Sequence, residues 1–297
     1  MSSDSTEPST AGGASGPFGL IGRVGIVGVG LMGGSLAKAL RGVRPDLWIQ
    51  GSIHEDGARE AAVGTGVLDA VVEDPLEAVR DVDLVVLATP LSTSLRLLGP
   101  LAESAPGALL TDVGSLKAPI LECARHLDLL PRFVGGHPMA GSERSGWGAA
   151  HESLYHARPV WLVEDGATDR AKAAVAGMWE SVGAIPRWTD GVEHDRTMVW
   201  TSHLPQLAST ALAEVLEGAG FARRELGPGG TDATRLAGSS PELWADLFEH
   251  APSRAADAVR SLAGALDRLA DSLQEAEIGP IEDTMTKARR WKERSES

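Results

Sequence analysis

Short apolar runs alternate with helical patterns over the first half of the chain. Most of the apolar runs end at Gly or Pro, and short runs of this kind are typical of buried parallel strands. They predict strands at 23–30, 47–53, 83–89, 108–113, 133–136 and 159–163. Between them, segments 31–41 and 57–64 carry apolar residues at helical spacing. We therefore predict an α/β fold in which helices cover both faces of a parallel sheet.

After about residue 165 the pattern changes to long segments rich in Ala, Leu, Arg and Glu. They predict helices at 168–183, 191–217, 241–248 and 253–276, with one short extended piece at 185–188. The apolar stripes of these helices are too extensive for helices that face solvent. We therefore expect an all-helical second domain at 166–297 that forms a homodimer. Residues 1–18 are mainly small, polar or acidic, which predicts a disordered tail.

The composition is that of a globular protein without a cationic surface. Hydrophobic residues make up 43% of the 297 residues, and the formal net charge is −14. Nucleic acids and anionic membranes bind cationic faces, so neither is an expected partner. No apolar run of the sequence approaches the ~20 residues of a membrane span. The single cysteine, Cys123, rules out an internal disulfide and agrees with a reducing compartment, so we expect a cytoplasmic protein.

The first predicted strand ends in Gly28-Val-Gly30-Leu31-Met32-Gly33, which fits the pattern G-x-G-x-x-G. Glycines in this pattern permit a tight turn and bring the backbone close to a pyrophosphate at a helix N-terminus. Because the pattern follows a buried strand and opens a helix, we predict a dinucleotide-binding Rossmann-type domain at 19–165. The alternative is a tight turn without a ligand. The expected cofactor contacts are Gly28, Gly30, Leu31, Met32, Gly33, His54, Thr89 and Pro90.

The end of the second predicted strand bears on the choice of dinucleotide. An acidic residue there would bind the ribose 2′-hydroxyl of NAD. This chain has Ile53 near the expected position, with Glu55 and Asp56 slightly beyond it. His54 is a candidate contact for a 2′-phosphate, although a solvated loop residue is the simpler interpretation, and the two acidic residues would repel a phosphate. The sequence leaves NAD and NADP open, with NAD preferred.

The segment 134–143, Val-Gly-Gly-His-Pro-Met-Ala-Gly-Ser-Glu, places His137 at a glycine-rich corner. Gly135 and Gly136 permit backbone angles closed to other residues, and Pro138 fixes the angle after His137. An imidazole held at a strand end, with a pKa near neutrality, is suited to general acid–base catalysis. Taken alone, a structural histidine in a packed turn is the simpler interpretation.

Three further segments accompany this corner. Ser115 follows a predicted strand and is expected at or near a helix N-cap, which alone would account for it. His194 and His203 lie on one predicted helix and point to opposite faces, so we expect no metal site, and Pro205 should kink this helix. Arg235 lies beside a Gly/Ser/Pro turn, where a surface salt bridge is the simpler interpretation.

Together these segments resemble the prephenate and arogenate dehydrogenase family. The resemblance runs from about residue 24 to residue 244 and is carried, in order, by GVGLMGGS, DLVVLATP, DVGSLK, GGHPMAGSE, HD followed by SHLP, and TRLAGSSPELW. GxGxxG is shared by many proteins, whereas GGHPMAGSE after DVGS is specific. The resemblance implies oxidative decarboxylation of a cyclohexadienyl substrate in tyrosine biosynthesis, with hydride transfer from C4 to a nicotinamide.

The resemblance also implies roles for individual residues. His137 would accept a proton or hydrogen bond from the C4 hydroxyl group, with Ser115 hydrogen-bonded nearby. Arg235 would bind a substrate carboxylate, because its planar fork suits two oxygens. The remaining candidates for binding the substrate or supporting the site are Ser142, Glu143, Asp195, Gln206 and Trp244.

Gln206 departs from the pattern of the family. The family segment often reads S-H-L-P-H, and its last histidine contacts the substrate side chain. A glutamine amide cannot carry the charge of an imidazolium, so the exchange bears on discrimination between a pyruvyl and an alanyl side chain. Prephenate, arogenate and 4-amino-4-deoxyprephenate are all candidate substrates, with prephenate, converted to 4-hydroxyphenylpyruvate, preferred.

Two other classes of function fit the sequence less well. A β-hydroxyacid dehydrogenase or imine reductase also begins GxGxMG, but usually depends on a lysine or aspartate on the first interdomain helix. This region offers Glu193, His194 and Asp195, and no lysine lies between Lys172 and Lys287. A cofactor-sensing regulatory protein would need a DNA-reading helix with a basic face, which the net charge of −14 opposes.

Overall fold

The computed structural model describes residues 17–142, 144–250 and 252–295. These residues form one eight-stranded sheet. Its strands are β1 (Arg23–Val27), β2 (Trp48–Ser52), β3 (Ala70–Val72), β4 (Leu84–Leu87), β5 (Leu109–Asp112), β6 (Phe133–Pro138), β7 (Pro159–Val163) and β8 (Ile185–Thr189). Their order across the sheet is β3-β2-β1-β4-β5-β6-β7-β8. The predicted α/β class and the Rossmann-type order of the first strands are confirmed.

One strand pair departs from the predicted parallel sheet. Strands β6 and β7 pair antiparallel, whereas every other neighbouring pair is parallel. A parallel pair needs a crossover connection, which is usually a helix. The described residues between β6 and β7 contain only the short 3-10 turn Trp147–Ala149. The chain therefore returns beside β6 in the opposite direction.

Helices follow most of the strands and fill the second half of the chain. Among the strands lie α1 (Leu31–Val43), α2 (Asp56–Val63), α3 (Leu91–Ser104), α4 (Ala118–His126) and α5 (Asp169–Ser181). Later come α6 (Gly191–Met198), α7 (Leu204–Gly218), α8 (Pro228–Ala233), α9 (Pro241–His250), α10 (Pro252–Gln274) and α11 (Ile278–Ser295). A π-helical turn, Val199–His203, precedes α7 at the place of the predicted kink, with Pro205 in the first turn of α7, where no N–H donor is required.

The core lies on the faces of the central strands. All residues of β4 and β5 are buried, as expected for strands covered on both faces. Phe18 also belongs to this core and is only 3% exposed. The predicted tail boundary at residue 18 was therefore wrong, because Phe18 packs against α5 near Gly177. The rest of that prediction, residues 1–16, lies outside the described residues.

The described chain divides into two compact units. The first holds residues up to Met198 together with Ser240–His250, and the second holds Val199–Ser239 and the described residues from 252 onward. The predicted boundary at 165/166 was too early, because β8 pairs with β7 and thereby extends the sheet. Helix α9 belongs to the first unit, where Asp246 accepts a hydrogen bond from the amide of Ser92 over 3.2 Å. The second unit contains only helices among its described residues.

No helix in the described part of the chain is long and apolar enough to cross a membrane.

Candidate active site

Each of the three glycines of the loop between β1 and α1 is required for a different structural reason. Gly28 has a φ of +91°, and a Cβ atom there would lie 2.8 Å from the carbonyl oxygen of Ala88. A Cβ on Gly33 would lie 2.4 Å from the carbonyl oxygen of Gly28, so α1 packs closely on the loop. Beside Gly30, in contrast, a Cβ would meet no atom within 4 Å. This open space at the N-terminus of α1 fits the approach of a pyrophosphate.

The other predicted cofactor contacts differ in how near they lie to the glycine loop and in how exposed they are. Thr89 lies beside the loop, since a Cβ on Gly28 would be 2.7 Å from its Cγ2, and Pro90 is the N-cap residue of α3. Leu31 and Met32 pack against the core. The His54 side chain is 96% exposed and lies 4.0 Å from the Glu73 carboxylate, so a solvated residue describes it well.

His137 is the first member of a hydrogen-bonded chain of side chains. It is the second-to-last residue of β6, directly before Pro138, and its Nδ1 is 2.9 Å from Nε2 of His194. Nδ1 of His194 is 2.7 Å from Oδ1 of Asp195. The backbone amides of Lys117 and Ala118 donate to the two oxygens of Asp195, each over 2.8 Å. One buried carboxylate therefore anchors two imidazoles in series.

The charge of Asp195 determines which ring nitrogens carry protons. Burial alone would raise the pKa of Asp195, but hydrogen bonds from His194 and from two backbone amides outweigh it and hold the pKa below its ordinary value. An ionised carboxylate only accepts hydrogen bonds, so a neutral His194 donates from Nδ1 and accepts at Nε2. His137 then donates from Nδ1, which leaves the basic lone pair of a neutral His137 on Nε2.

A buried ion pair lies directly beneath this corner. The ammonium group of Lys117 contacts Asp112, and both side chains are at most 2% exposed. Lys117 Nζ also donates to the carbonyl oxygen of Gly136 over 2.7 Å. Burial lowers the pKa of Lys117, and the Asp112 carboxylate opposes this shift.

The glycine pair before His137 is required by packing rather than by backbone angles. Gly135 and Gly136 are extended residues of β6 and do not have positive φ, so they do not use the backbone freedom that glycine permits. A Cβ on Gly136 would lie 2.5 Å from the carbonyl oxygen of Asp112, and one on Gly135 would lie 3.2 Å from Cδ of Lys117. Gly135 therefore makes room for the Lys117 side chain, and Gly136 makes room for the backbone of β5.

Ser115 lies on the loop between β5 and α4, at the same sheet edge as His137. Ser115 lies near the N-cap, as predicted, but is not the capping residue, because α4 begins at Ala118 with Lys117 as its N-cap residue. The Asp195 carboxylate supplies the hydrogen bonds to the first amides instead. Ser115 makes no hydrogen bond with a described residue, so the expected bond to His137 is not present here.

Two family models match this chain over most of its length. The first, "Prephenate dehydrogenase, nucleotide-binding domain", matches residues 36–186, and the second, "Prephenate dehydrogenase, dimerization domain", matches residues 190–287. The cyclohexadienyl dehydrogenase of Zymomonas mobilis is 32% identical over 243 residues, which cover 76% of this chain and 80% of that protein. The chain belongs to the prephenate dehydrogenase family. It is therefore an oxidoreductase of aromatic amino acid biosynthesis with a nucleotide-binding domain.

Solved structures of this prephenate dehydrogenase family share the fold. The prephenate dehydrogenase of A. aeolicus, solved with hydroxyphenyl propionate and NAD+, has a TM-score of 0.80 at 28% identity, covering 92% of this chain and 97% of that one. The arogenate dehydrogenase of Synechocystis has a TM-score of 0.77 at 26% identity, covering 92% and 99%. The similarity therefore extends over both units of this family member.

The second unit carries two of the predicted substrate residues. Arg235 is exposed at the start of the 3-10 turn Arg235–Gly238 and makes no ion pair with any described residue. Gln206 on α7 is only 6% exposed, and its amide holds that turn. Its Nε2 donates to the carbonyl oxygen of Leu236 over 2.9 Å, and its Oε1 accepts from Ser239 over 3.2 Å.

The remaining candidates lie in the first unit or outside the described residues. Ser142 is exposed, and its Oγ accepts a hydrogen bond from the amide of Arg144 over 3.1 Å. Trp244 on α9 stacks on Phe248 with ring centroids 5.4 Å apart. Glu143 lies outside the described residues.

Sequence reasoning gave no role at this corner to three residues that the structure brings to it. His194 appeared in the HD motif and in the argument against a metal, but it was not proposed as a partner of His137, although it precedes the acidic residue Asp195. Lys117 and Asp112 stand at opposite ends of the DVGSLK segment and gave no separate signal. Among the described residues, no group of His, Cys, Asp and Glu side chains could hold a metal ion.

Proposed function

We propose that this protein catalyses the oxidative decarboxylation of prephenate to 4-hydroxyphenylpyruvate, with NAD as the hydride acceptor. The observation that supports the proposal best is the chain from Asp195 through His194 to His137, at the carboxyl edge of a nucleotide-binding sheet. Ligands of such sheets bind at this edge. The names of the relatives and their bound ligands agree with a cyclohexadienyl substrate.

The residues of the chain perform proton transfer and binding. A bound nicotinamide supplies the acceptor for the hydride from C4. Nε2 of His137 takes the proton of the C4 hydroxyl group as the hydride leaves, so that a carbonyl forms at C4. The ring carboxylate then leaves as carbon dioxide, and its electron pair makes the ring aromatic and converts the C4 carbonyl into a phenolate. The His137 imidazolium returns its proton to that oxygen, which gives the hydroxyl group of the product. The Asp195 carboxylate stabilises the resulting imidazolium through His194, in the manner of a His–Asp pair.

We propose Arg235 as the residue that binds a substrate carboxylate. Its guanidinium group is exposed and has no ion pair with a described residue, and its planar fork suits two carboxylate oxygens. Gln206 and Ser209 hold the turn that carries it, Ser209 by accepting the amide of Ala237 over 3.2 Å. Ser115, Ser142, Glu143 and Trp244 stay candidates for the remaining substrate contacts.

The choice of NAD over NADP rests on the end of β2. Glu55 and Asp56 are exposed there and would repel a 2′-phosphate, while Ile53 is buried and offers no acceptor to a 2′-hydroxyl group. Arg59 is engaged by Asp56 and Glu73, which reduces its value as a phosphate ligand.

Substitution of His137 tests the reaction directly. His137→Asn should lower kcat by roughly 10²–10⁴, the usual contribution of a placed general acid–base group. His126→Asn is a matched control, because His126 is an exposed histidine of α4 whose ring nitrogen bonds only within its own helix. Turnover is measured by absorbance of the reduced nicotinamide, with prephenate, arogenate and 4-amino-4-deoxyprephenate each paired with NAD and NADP. Near-full turnover of His137→Asn would remove His137 from the mechanism, and silence of the wild type with all six pairs would overturn the proposal.

Substitution of Arg235 tests the carboxylate site. Arg235→Ala should raise KM for prephenate by roughly 10- to 100-fold with a smaller effect on kcat, because a charge-assisted hydrogen bond is lost. Arg235→Lys should restore part of the affinity, since it keeps the charge and loses the fork. Arg260→Ala removes an exposed arginine of α10 and serves as control. An unchanged KM in Arg235→Ala would exclude this contact.

We further propose that the protein is a homodimer through its helical unit. Leu266 and Leu273 on α10 and Met285 on α11 are large apolar side chains that are each more than half exposed. The second family model, which carries the word dimerization, matches this part of the chain. Apolar surface of this kind is usually covered by a partner.

A further inference from the structure

A closed ring of contacts runs beneath His137, and Lys117 takes part in it twice. Its Nζ donates to the carbonyl oxygen of Gly136, directly before His137, over 2.7 Å. Its backbone amide donates to Oδ1 of Asp195 over 2.8 Å. Asp195 binds His194, and His194 contacts His137 over 2.9 Å. The peptide bond between Gly136 and His137 closes the ring.

Asp112 holds the other side of the same backbone. Its Oδ1 accepts the amide of Gly136 over 3.0 Å, and its Oδ2 accepts from Lys117 and from the amide of Gly114. The N–H group of Gly136 is therefore held by Asp112 and its C=O group by Lys117. The backbone that presents His137 is fixed on both sides of Gly136.

Stability alone does not explain this pair. Two buried charges lose their hydration, and the attraction between them repays this cost only in part, so apolar replacements of such pairs are often neutral or stabilising. The pair also depends on a glycine in β6, because a Cβ on Gly135 would lie 3.2 Å from Cδ of Lys117. Glycine inside a strand weakens it. Because the pair does not favour stability, we attribute it to a role in fixing the backbone that presents His137.

We propose that Lys117 is a positioning residue, whose Nζ fixes the backbone at Gly136 and thereby holds the His137 ring against His194, so that His137 presents its lone pair on Nε2. Lys117 acts through Gly136 and Asp195 and does not touch the substrate. The inference rests on the proposed role of His137 as the acceptor of the substrate proton.

The test removes both charges together. Lys117→Met alone leaves the Asp112 charge buried and unpaired, which is strongly destabilising. The double variant Lys117→Met/Asp112→Asn keeps an acceptor for the amide of Gly136 and should fold with a thermal transition close to that of the wild type. Its kcat should fall by roughly 10- to 100-fold, as expected when a reacting group is misplaced. Affinity for NADH, measured by fluorescence titration, should change little.

A surface lysine provides the matched control. Lys172→Met removes an ammonium group that pairs with Glu164 and Asp169 at the surface. This variant should keep the wild-type kcat.

The tautomers provide a readout that a purely structural role would not move. In protein labelled with 15N-histidine, NMR signals are assigned with His137→Asn and His194→Asn. The wild type should show His137 protonated at Nδ1 and unprotonated at Nε2. The double variant should show His137 as a mixture of both tautomers, while His194 keeps its proton on Nδ1 against Asp195. Wild-type tautomers in the double variant, or a wild-type kcat, would overturn the proposal. A wild type that is silent with every substrate would instead overturn the proposed function, while the NMR comparison would still decide the role of Lys117.

Discussion

Asp195 shows how one residue links folding to chemistry. Its carboxylate binds the first two amides of α4, which lack partners within their own helix, and at the same time it orients His194. The negative charge lies at the N-terminus of α4, where the helix dipole favours it. The bonds that stabilise the start of α4 are therefore the same bonds that set the tautomer of His137.

These bonds make stability depend on pH in a definite direction. The fold holds the pKa of Asp195 below its ordinary value of 3.8, so the fold favours the ionised form. This contribution is fully present above the unfolded-state pKa and is lost as the pH falls through the lower folded-state pKa. We expect Asp195→Asn to be less stable than the wild type at about pH 7 and the difference to shrink toward about pH 3. Urea unfolding across this range measures it, and a difference that does not depend on pH would contradict the prediction.

Two helix ends show the same motif with different residues. Helix α7 ends with Gly220 at a φ of +85°, where the amide of Phe221 binds the carbonyl of Leu216 over 3.0 Å. Helix α10 ends in the same way, with the amide of Glu277 on the carbonyl of Ser272 over 2.9 Å. Here, however, Ala276 occupies the left-handed position, with a φ of +58°. A Cβ atom in this conformation is strained, whereas glycine is not.

The two ends therefore predict opposite effects of reciprocal substitutions. Ala276→Gly should stabilise the protein by about 0.5–1 kcal/mol, the strain relieved less the extra freedom of glycine in the unfolded chain. Gly220→Ala should destabilise it by about 1 kcal/mol. Thermal unfolding of both variants against the wild type measures these changes. If both substitutions shifted the transition in the same direction, the backbone strain would not be the cause.

At the scale of elements, periodicity predicted most of the fold, because buried strands and amphipathic helices leave patterns within a few residues. Strand β3 was not predicted, because its three half-buried residues, Ala70–Val72, are too few to show an alternation of apolar and polar positions. The site was only partly predictable for a different reason. GGHP singled out His137, but its partner His194 lies 57 residues later, and nothing local shows that they meet. The glycine pair was noticed for its backbone freedom, whereas the structure shows close packing against Lys117 at Gly135 and against the backbone of Asp112 at Gly136.

At the scale of the whole molecule, charge limits how an anionic substrate can bind. The chain has a formal net charge of −14, so its overall field repels a dicarboxylate. Affinity must then come from single cations at short range, where contact outweighs the average field. Arg235 has this character, because it is exposed and has no ion pair with a described residue.

The exposed apolar side chains of α10 and α11 predict where the proposed homodimer forms its interface. The apolar side chains of α10 and α11 lie on one unit, and Leu266 among them is 57% exposed in the single chain. In a symmetric dimer each such residue is buried twice, so one substitution introduces two unpaired charges into the interface. Leu266→Glu should therefore yield a monomer in sedimentation velocity under conditions where the wild type is a dimer. Val63→Glu is the matched control, because Val63 on α2 of the first unit is 61% exposed and should leave the dimer intact. A dimer that survives Leu266→Glu but is lost in Val63→Glu would place the interface on the first unit.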